Sequence, residues 1–134
     1  MGAHVAVDPA QEDAFDAWAR DGGGRPLVVF EAIGVPGIID GALRSAPPQT
    51  RIVIVGVCME RDAITPFFAI GKELNLQFVL GYDPMEFAAS LQSIAAGAVD
   101  VDPMITGRVG LDGVPDAFRA LANPDEHCKI LVTP

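Results

Sequence analysis

The sequence predicts an α/β sandwich, a mainly parallel sheet with helices on both faces, and three observations carry that expectation. Short β-rich runs alternate with stretches of helical periodicity along the chain. One run, "TRIVIVGV" at 50–57, is continuous in Ile and Val, as expected of a parallel strand buried on both faces. The order strand, helix, strand, helix, strand calls for right-handed crossovers between parallel neighbours. A chain of 134 residues suits one domain over 1–134, and at that size folding hides roughly two thirds of the unfolded surface.

Each element has a local reason. "AHVAVD" at 3–8 reads as a strand. Asp8-Pro9 opens a helix, with aspartate as N-cap, proline at the first helical position and Gln11 placed for a capping box. Phe15, Trp18 and Ala19 recur at helical spacing until "GGG" at 22–24 stops the helix. "PLVVFEAI" at 26–33 is the second strand. It is followed from Val35-Pro36 by a helix with the apolar face Ile38, Ile39, Ala42 and Leu43, ended by Pro47 and Pro48. After the third strand at 50–57, "TPFFAIGKE" at 65–73 is a short helical or irregular piece and "LNLQFVLG" at 74–81 a fourth strand. Asp83-Pro84-Met85-Glu86 repeats the capping pattern, and Phe87, Ala88, Leu91, Ile94 and Ala95 form a stripe expected to be buried before Gly97 closes the helix. "DPMITGRVGL" at 102–111 reads as an extended linker, "GVPDAFRAL" at 113–121 as a helix facing inward through Val114, Phe118 and Leu121, and "HCKILVT" at 127–133 as a final strand.

Composition excludes some partners. Eighteen acidic against nine basic side chains give a net charge of -9, which repels nucleic acid and anionic membranes. The apolar runs are strand-sized, far below the ~20 residues of a membrane helix, and the N-terminus carries no basic segment followed by a long apolar one, so a cytoplasmic protein is expected. Cys58 and Cys128 lack metal-type spacing to each other or to His4 and His127, and both are expected as buried, reduced thiols. No metal site is expected in this chain.

The stretch "EAIGVPGIIDGAL" at 31–43 poses the functional question. Gly34, Gly37 and Gly41 give G-x-x-G-x-x-x-G, whereas a pyrophosphate loop needs G-x-G-x-x-G. "GGGR" at 22–25 precedes a strand instead of following one, and no G-x-x-x-x-G-K-[ST] occurs. By themselves the three glycines read as a tight turn plus close helix packing.

Longer segments change that reading. "VVFEAIGVPGIIDGAL", "RIVIVGV", "GKELNLQFVLGY", "DPMITGRVGLDGVPDAFRAL" and "CKILVTP" stand in an order and spacing that resemble the C-terminal half of zinc-type alcohol dehydrogenases, of the medium-chain dehydrogenase/reductase superfamily. The resemblance covers nearly the whole chain and begins at "MGAHVAVDP". It implies a partial Rossmann-type three-layer sandwich lacking the first two strands and the G-x-G-x-x-G loop. It also implies NAD or NADP as cofactor, bound weakly or not at all by this chain, with zinc and the catalytic residues in the absent half. The cofactor-facing positions it implies are backbone at Ala32, Ile33 and Gly34, the carbonyl of Val55, the side chain of Val57, backbone at Phe78 and Leu80, and the charge of Lys129. Each has an alternative: Val55, Val57, Phe78 and Leu80 as core, Lys129 as an exposed charge.

In a sheet of order 3-2-1-4-5-6 the missing strands occupy the middle, so the strand at 26–32 is expected to present an open edge. Either strand 3–8 slides in beside it or another chain covers it. The family and the open edge together imply a homo-oligomer, with neither nucleic acid nor membrane as partner.

Overall fold

A computed structural model describes residues 2–22, 24–123 and 125–134. Gly23, in the middle of the expected helix stop, lies outside the described residues. Contacts divide the chain into two compact units, Val5–Gly81 and a second made of residues 1–4 with Tyr82–Pro134.

The first unit holds three parallel strands in the order β1 (Val28–Glu31), β2 (Arg51–Ile54), β3 (Asn75–Phe78). Their register aligns Val29 with Ile52 and Leu76, and Glu31 with Ile54 and Phe78. Three helices accompany them, α1 (Ala14–Gly22), α2 (Ile38–Ser45) and α3 (Pro66–Gly71). As the run of Ile and Val implied, β2 is buried on both faces through Ile52, Val53 and Ile54. Leu43, Ala46, Ile52 and Ile54 form the core, against which Phe15, Ile39, Ala42, Phe68 and Ala69 of the helices pack.

That core lies on one face of the sheet, where helices were expected on two. The strands stand in chain order, so right-handed crossovers that step in one direction set their helices on the same side. On the other face Val53 of β2 is buried, whereas Val28 and Phe30 of the edge strand β1 are 47% and 68% exposed.

Residues 3–8 form no strand, so the expected insertion beside β1 is not realised and β1 remains an edge. This short alternation of Ala and Val has little side chain to bury, and Val5 is exposed. The first capping signal also yields a turn, not a helix. Asp8 accepts the N–H of Ala10, but Gln11 bonds the Asp8 side chain instead of its backbone N–H, and the box does not close. The helix starts later, with Asp13 accepting the N–H of Phe15. Its buried residue is Ala17, with Phe15 and Trp18 half-buried and Ala19 exposed.

At 83–86 the same signal succeeds: Asp83 accepts the N–H groups of Met85 and Glu86 while Glu86 accepts that of Asp83. The resulting α4 (Pro84–Ala95) ends before Gly97, which takes the left-handed conformation at φ +70. Its apolar stripe exists but is not buried, since Phe87, Leu91 and Ile94 are 56%, 58% and 41% exposed.

The expected linker at 102–111 is instead a short helical turn at Asp102–Met104 and a strand, β4 (Ile105–Val109). It pairs in parallel with β5 (Lys129–Val132) through a bulge at Thr106. Thr106 Oγ1 accepts the N–H groups of Cys128 and Lys129 at 3.0 and 3.3 Å, anchoring the start of β5. Between them α5 (Val114–Ala120) turns Ala117 inward and leaves Phe118 75% exposed, contrary to the inward stripe expected from spacing. Both thiols are free, but Cys58 is only half-buried and Cys128 is exposed in the turn before β5.

Polar contacts fasten α2 within its unit. Asp40 accepts Arg44 Nε at 2.6 Å and the N–H of Thr65 at 2.7 Å, and the Arg44 guanidinium lies 4.4 Å over the Phe68 ring. The Arg44 hydrogen bond, followed by that from Thr65, holds the Asp40 carboxyl below the usual carboxylate range. A carboxyl depressed in the folded state stabilises it above the unfolded pKa, and that contribution is lost as pH falls through the lowered value. Asp40→Asn is therefore expected to lose stability at about pH 7 but to flatten the decline below about pH 4. Thermal melts across that range check it, and parallel decline in both proteins would refute the assignment.

Candidate functional site

The exits of β1, β2 and β3 open on one crevice of about 220 Å³. Glu31, Gly34, Gly56, Val57, Phe78 and Leu80 line it, with Ile39 of α2 behind and Cys58 beside Val57. This is the carboxyl end of a parallel sheet, the place where open α/β folds bind ligands.

Its walls are two loops in backbone contact. After β1 the chain turns at Gly34, with φ +74; a Cβ there would stand 2.6 Å from the backbone nitrogen of Val57. From the other side, a Cβ on Gly56 would stand 2.4 Å from Gly34 N and 2.5 Å from Glu31 Oε2. Both glycines are required by proximity. Gly37, at φ +89, occupies the N-cap of α2, whereas a Cβ on Gly41 meets nothing within 4 Å. Of the three glycines in the sequence pattern, one makes the contact, one the helix entry, and one neither.

The 55–65 loop is tied down over α2. Gly37 offers no capping side chain, and Asp62 Oδ1 instead accepts the Gly37 N–H at 2.9 Å, placing a carboxylate at the helix N-terminus. Lys72 Nζ donates to the carbonyls of Leu43, at 3.2 Å, and Arg44 at the other end. The crevice thus rests on a helix secured at both termini.

Of the residues expected to face a cofactor, Gly34, Val57, Phe78 and Leu80 line the crevice. Ala32, Ile33 and Val55 lie in the same loops but outside its lining, and all three are exposed. The N–H groups of Ile33 and Gly34 point to Glu31 Oε1 at 2.7 and 2.8 Å, and that of Val55 to the Glu31 carbonyl at 2.8 Å. Lys129 belongs to β5 in the other unit, where it is exposed. The sequence reading passed over Glu31, which is 6% exposed. The available signal was an acid closing an apolar strand three positions before a glycine.

Comparison with known proteins gives this crevice a family. A sequence model described as "Zinc-binding dehydrogenase" matches residues 1–96. The chain belongs to the zinc-binding dehydrogenase family. It is 31% identical over 132 residues to (R,R)-butanediol dehydrogenase of Bacillus subtilis, covering 97% of this chain and 38% of that protein. The crystal structure of that enzyme superposes with a TM-score of 0.78 over 96% of this chain and 37% of its own. A second structure, the alcohol dehydrogenase rspB of Escherichia coli CFT073 complexed with NADH, gives a TM-score of 0.82 at 25% identity, over 99% of this chain and 39% of that one. A third, a Sinorhizobium meliloti protein bound to NADP, gives 0.78 at 32% identity, over 99% of this chain and 40% of its own. The chain therefore spans under two fifths of the length of curated relatives it matches.

The α/β class and parallel strands agree with these neighbours. Zinc, which the family name implies, finds no fit: among the described residues no three His, Cys, Asp or Glu side chains gather as a metal-holding group. Cys58 Sγ approaches the Glu60 carbonyl, and His127 Nδ1 lies 3.3 Å from Thr106 Oγ1. No helix among the described residues is long and apolar enough to cross a membrane.

The backbone contact predicts effects of opposite sign at two glycines. Gly56→Ala drives a methyl into backbone atoms of the facing loop and should cost about 1–3 kcal/mol. Gly41→Ala, in an open helical position, should stabilise by up to about 1 kcal/mol. Urea unfolding of the two variants decides it, and equal effects would remove the packing argument.

Proposed function

We propose that this chain is the C-terminal cofactor-domain portion of an NAD(P)-dependent, zinc-type dehydrogenase acting on an alcohol or polyol. The observation that carries the reading is the crevice at the carboxyl ends of β1–β3, lined by four of the positions the family resemblance named. NADH and NADP occur in structures of relatives, and when bound such a cofactor accepts or donates hydride. The residues present have a narrower task. Val57, Phe78 and Leu80 offer apolar surface to a flat ring or sugar, and Gly34 keeps that wall free of a side chain. At about 220 Å³ the crevice falls below the ~300–1,000 Å³ of complete small-molecule sites. It fits one part of a dinucleotide. Groups that grip the pyrophosphate, hold zinc and abstract the alcohol proton are assigned to the portion of the family's proteins that this chain does not span.

A second reading, a noncatalytic binding or dimerisation module derived from the same fold, is favoured by apolar side chains left open. Phe30 on edge strand β1 is 68% exposed, and Met85 and Leu91 on α4 are 76% and 58% exposed. Under either reading self-association into a homo-oligomer is expected. Light scattering during size-exclusion chromatography should give a mass of two chains or more, and a monomer at all concentrations would exclude it.

The cofactor reading is tested by titrating the 134-residue chain with NADH and with NADPH while recording amide NMR spectra. Saturable shifts should cluster at Gly34, Val57, Phe78 and Leu80, with a dissociation constant weaker than about 100 μM because no pyrophosphate loop is present. Absence of shifts at the highest soluble concentration would overturn the reading. A dissociation constant near 1 μM would show that a phosphate grip exists after all, and alcohol turnover by this chain would refute its assignment as a noncatalytic portion.

A further inference from the structure

We infer that Glu31 is the positioning residue of the crevice: its side chain locks the loop after β1 in the form against which the loop after β2 packs, and so sets the shape of the wall a ligand meets. The inference rests on the cofactor reading for what the wall does, but the lock itself stands on geometry alone.

Glu31 is the last residue of β1 and faces the same side as Val29 and, across the register, Ile54. That side carries the helices and the core, and Glu31 is 6% exposed there. A buried carboxylate is costly unless its oxygens are hydrogen-bonded. Oε1 receives two backbone N–H groups, from Ile33 at 2.7 Å and Gly34 at 2.8 Å. These charge-assisted bonds curl the chain back just beyond the strand. The main-chain carbonyl of the same residue receives the N–H groups of Val55, at 2.8 Å, and Gly56, at 2.9 Å. One residue thus holds both loops, its side chain fastening 33–34 and its backbone fastening 55–56.

The two glycines show how tightly the loops are drawn together. No Cβ is tolerated at Gly56, because it would meet Gly34 N at 2.4 Å and Glu31 Oε2 at 2.5 Å, nor at Gly34, because it would meet Val57 N at 2.6 Å. Glu31, Gly34 and Gly56 are therefore mutually dependent, although 31 and 56 are separated by 25 positions. The consequence reaches the ligand. The N–H groups of Ile33 and Gly34 are taken up by the Glu31 carboxylate, and the wall is made by Gly34, Val57 and Glu31. Without the carboxylate, the two N–H groups lose their acceptor, the β1 loop relaxes, and Val57 loses the surface against which it is placed.

The test compares the 134-residue chain with Glu31→Gln and Glu31→Ala. Gln keeps an amide oxygen for both N–H groups; Ala removes it. In the unsubstituted protein the Ile33 and Gly34 amides, which lie outside any strand or helix, should exchange with deuterium as slowly as those of β1. Fast exchange there would overturn the lock without any variant. Glu31→Gln should retain slow exchange at both amides and bind NADH within about threefold of the parent. Glu31→Ala should expose both amides, shift the Gly56 and Val57 resonances across the crevice, and weaken NADH by about tenfold or more. Shifts confined to 31–34 would make the residue a local turn former and refute the positioning role, as would equal behaviour of Gln and Ala. If Ala fails to fold, the Gln variant and the parent's exchange still decide. If the parent binds no NADH while its amides are protected, the cofactor reading fails and the lock survives.

Discussion

The contact between the Gly34 and Gly56 backbones is the constraint on which the site depends. Side chains normally keep neighbouring loops at a distance, and a crevice between strand ends is then wide and irregular. Here both side chains are absent at the point of closest approach, and a Cβ at either position would stand within 2.6 Å of backbone atoms opposite. The loops touch, and the crevice wall at Gly34 and Gly56 is bare backbone. Packing beneath it follows from the same register, because parallel pairing of Glu31 with Ile54 and Phe78 brings three strands to an end at one level.

The sheet supplies level strand ends; the helices supply rigidity. Successive right-handed crossovers in one direction place the core on a single face, where Leu43 and Ile52 are fully buried. The open face and the β1 edge are the complementary result. The edge lies where the sheet order 3-2-1-4-5-6 sets a further strand, and the match to under two fifths of each curated relative's length agrees with that reading. Exposed Phe30 and Val28 are thus the underside of the same topology that makes the crevice.

Much of the first unit could be read from the chain because its signals are local. β1, β2 and β3 follow from runs of Val, Ile and Leu and α2 from its apolar spacing and prolines; in the second unit α4 follows from a capping box that closed. Errors arose where a local signal needed a partner. The alternation at 3–8 had no neighbouring strand, the cap at Asp8 lacked a backbone bond from Gln11, and β4 was concealed by Pro103 and Gly107 until its parallel partner at 129–132 was in place. The stripes on α4 and α5 had the right period, but period cannot say what covers a face. Four crevice positions were recoverable through resemblance, whereas Glu31 was not, since an acid at the end of a strand looks solvated until both of its backbone donors are seen.

Electrostatics complete the account of what this wall can recognise. The charged side chain among the crevice-lining residues is an acid, and the whole chain carries a net charge of -9. Phosphate groups favour free N–H donors, cations or helix N-termini. Here the N–H groups of Ile33 and Gly34 are committed to Glu31, and the N-terminus of α2 is occupied by Asp62. An anion placed at this wall would meet negative charge with no free donor from those groups. An uncharged ring or ribose meets apolar side chains and a glycine backbone that admits close approach. On the proposed reading, the division of labour is therefore electrostatic as well as spatial: these strands receive the neutral parts of a dinucleotide, and its diphosphate must be held by residues beyond them.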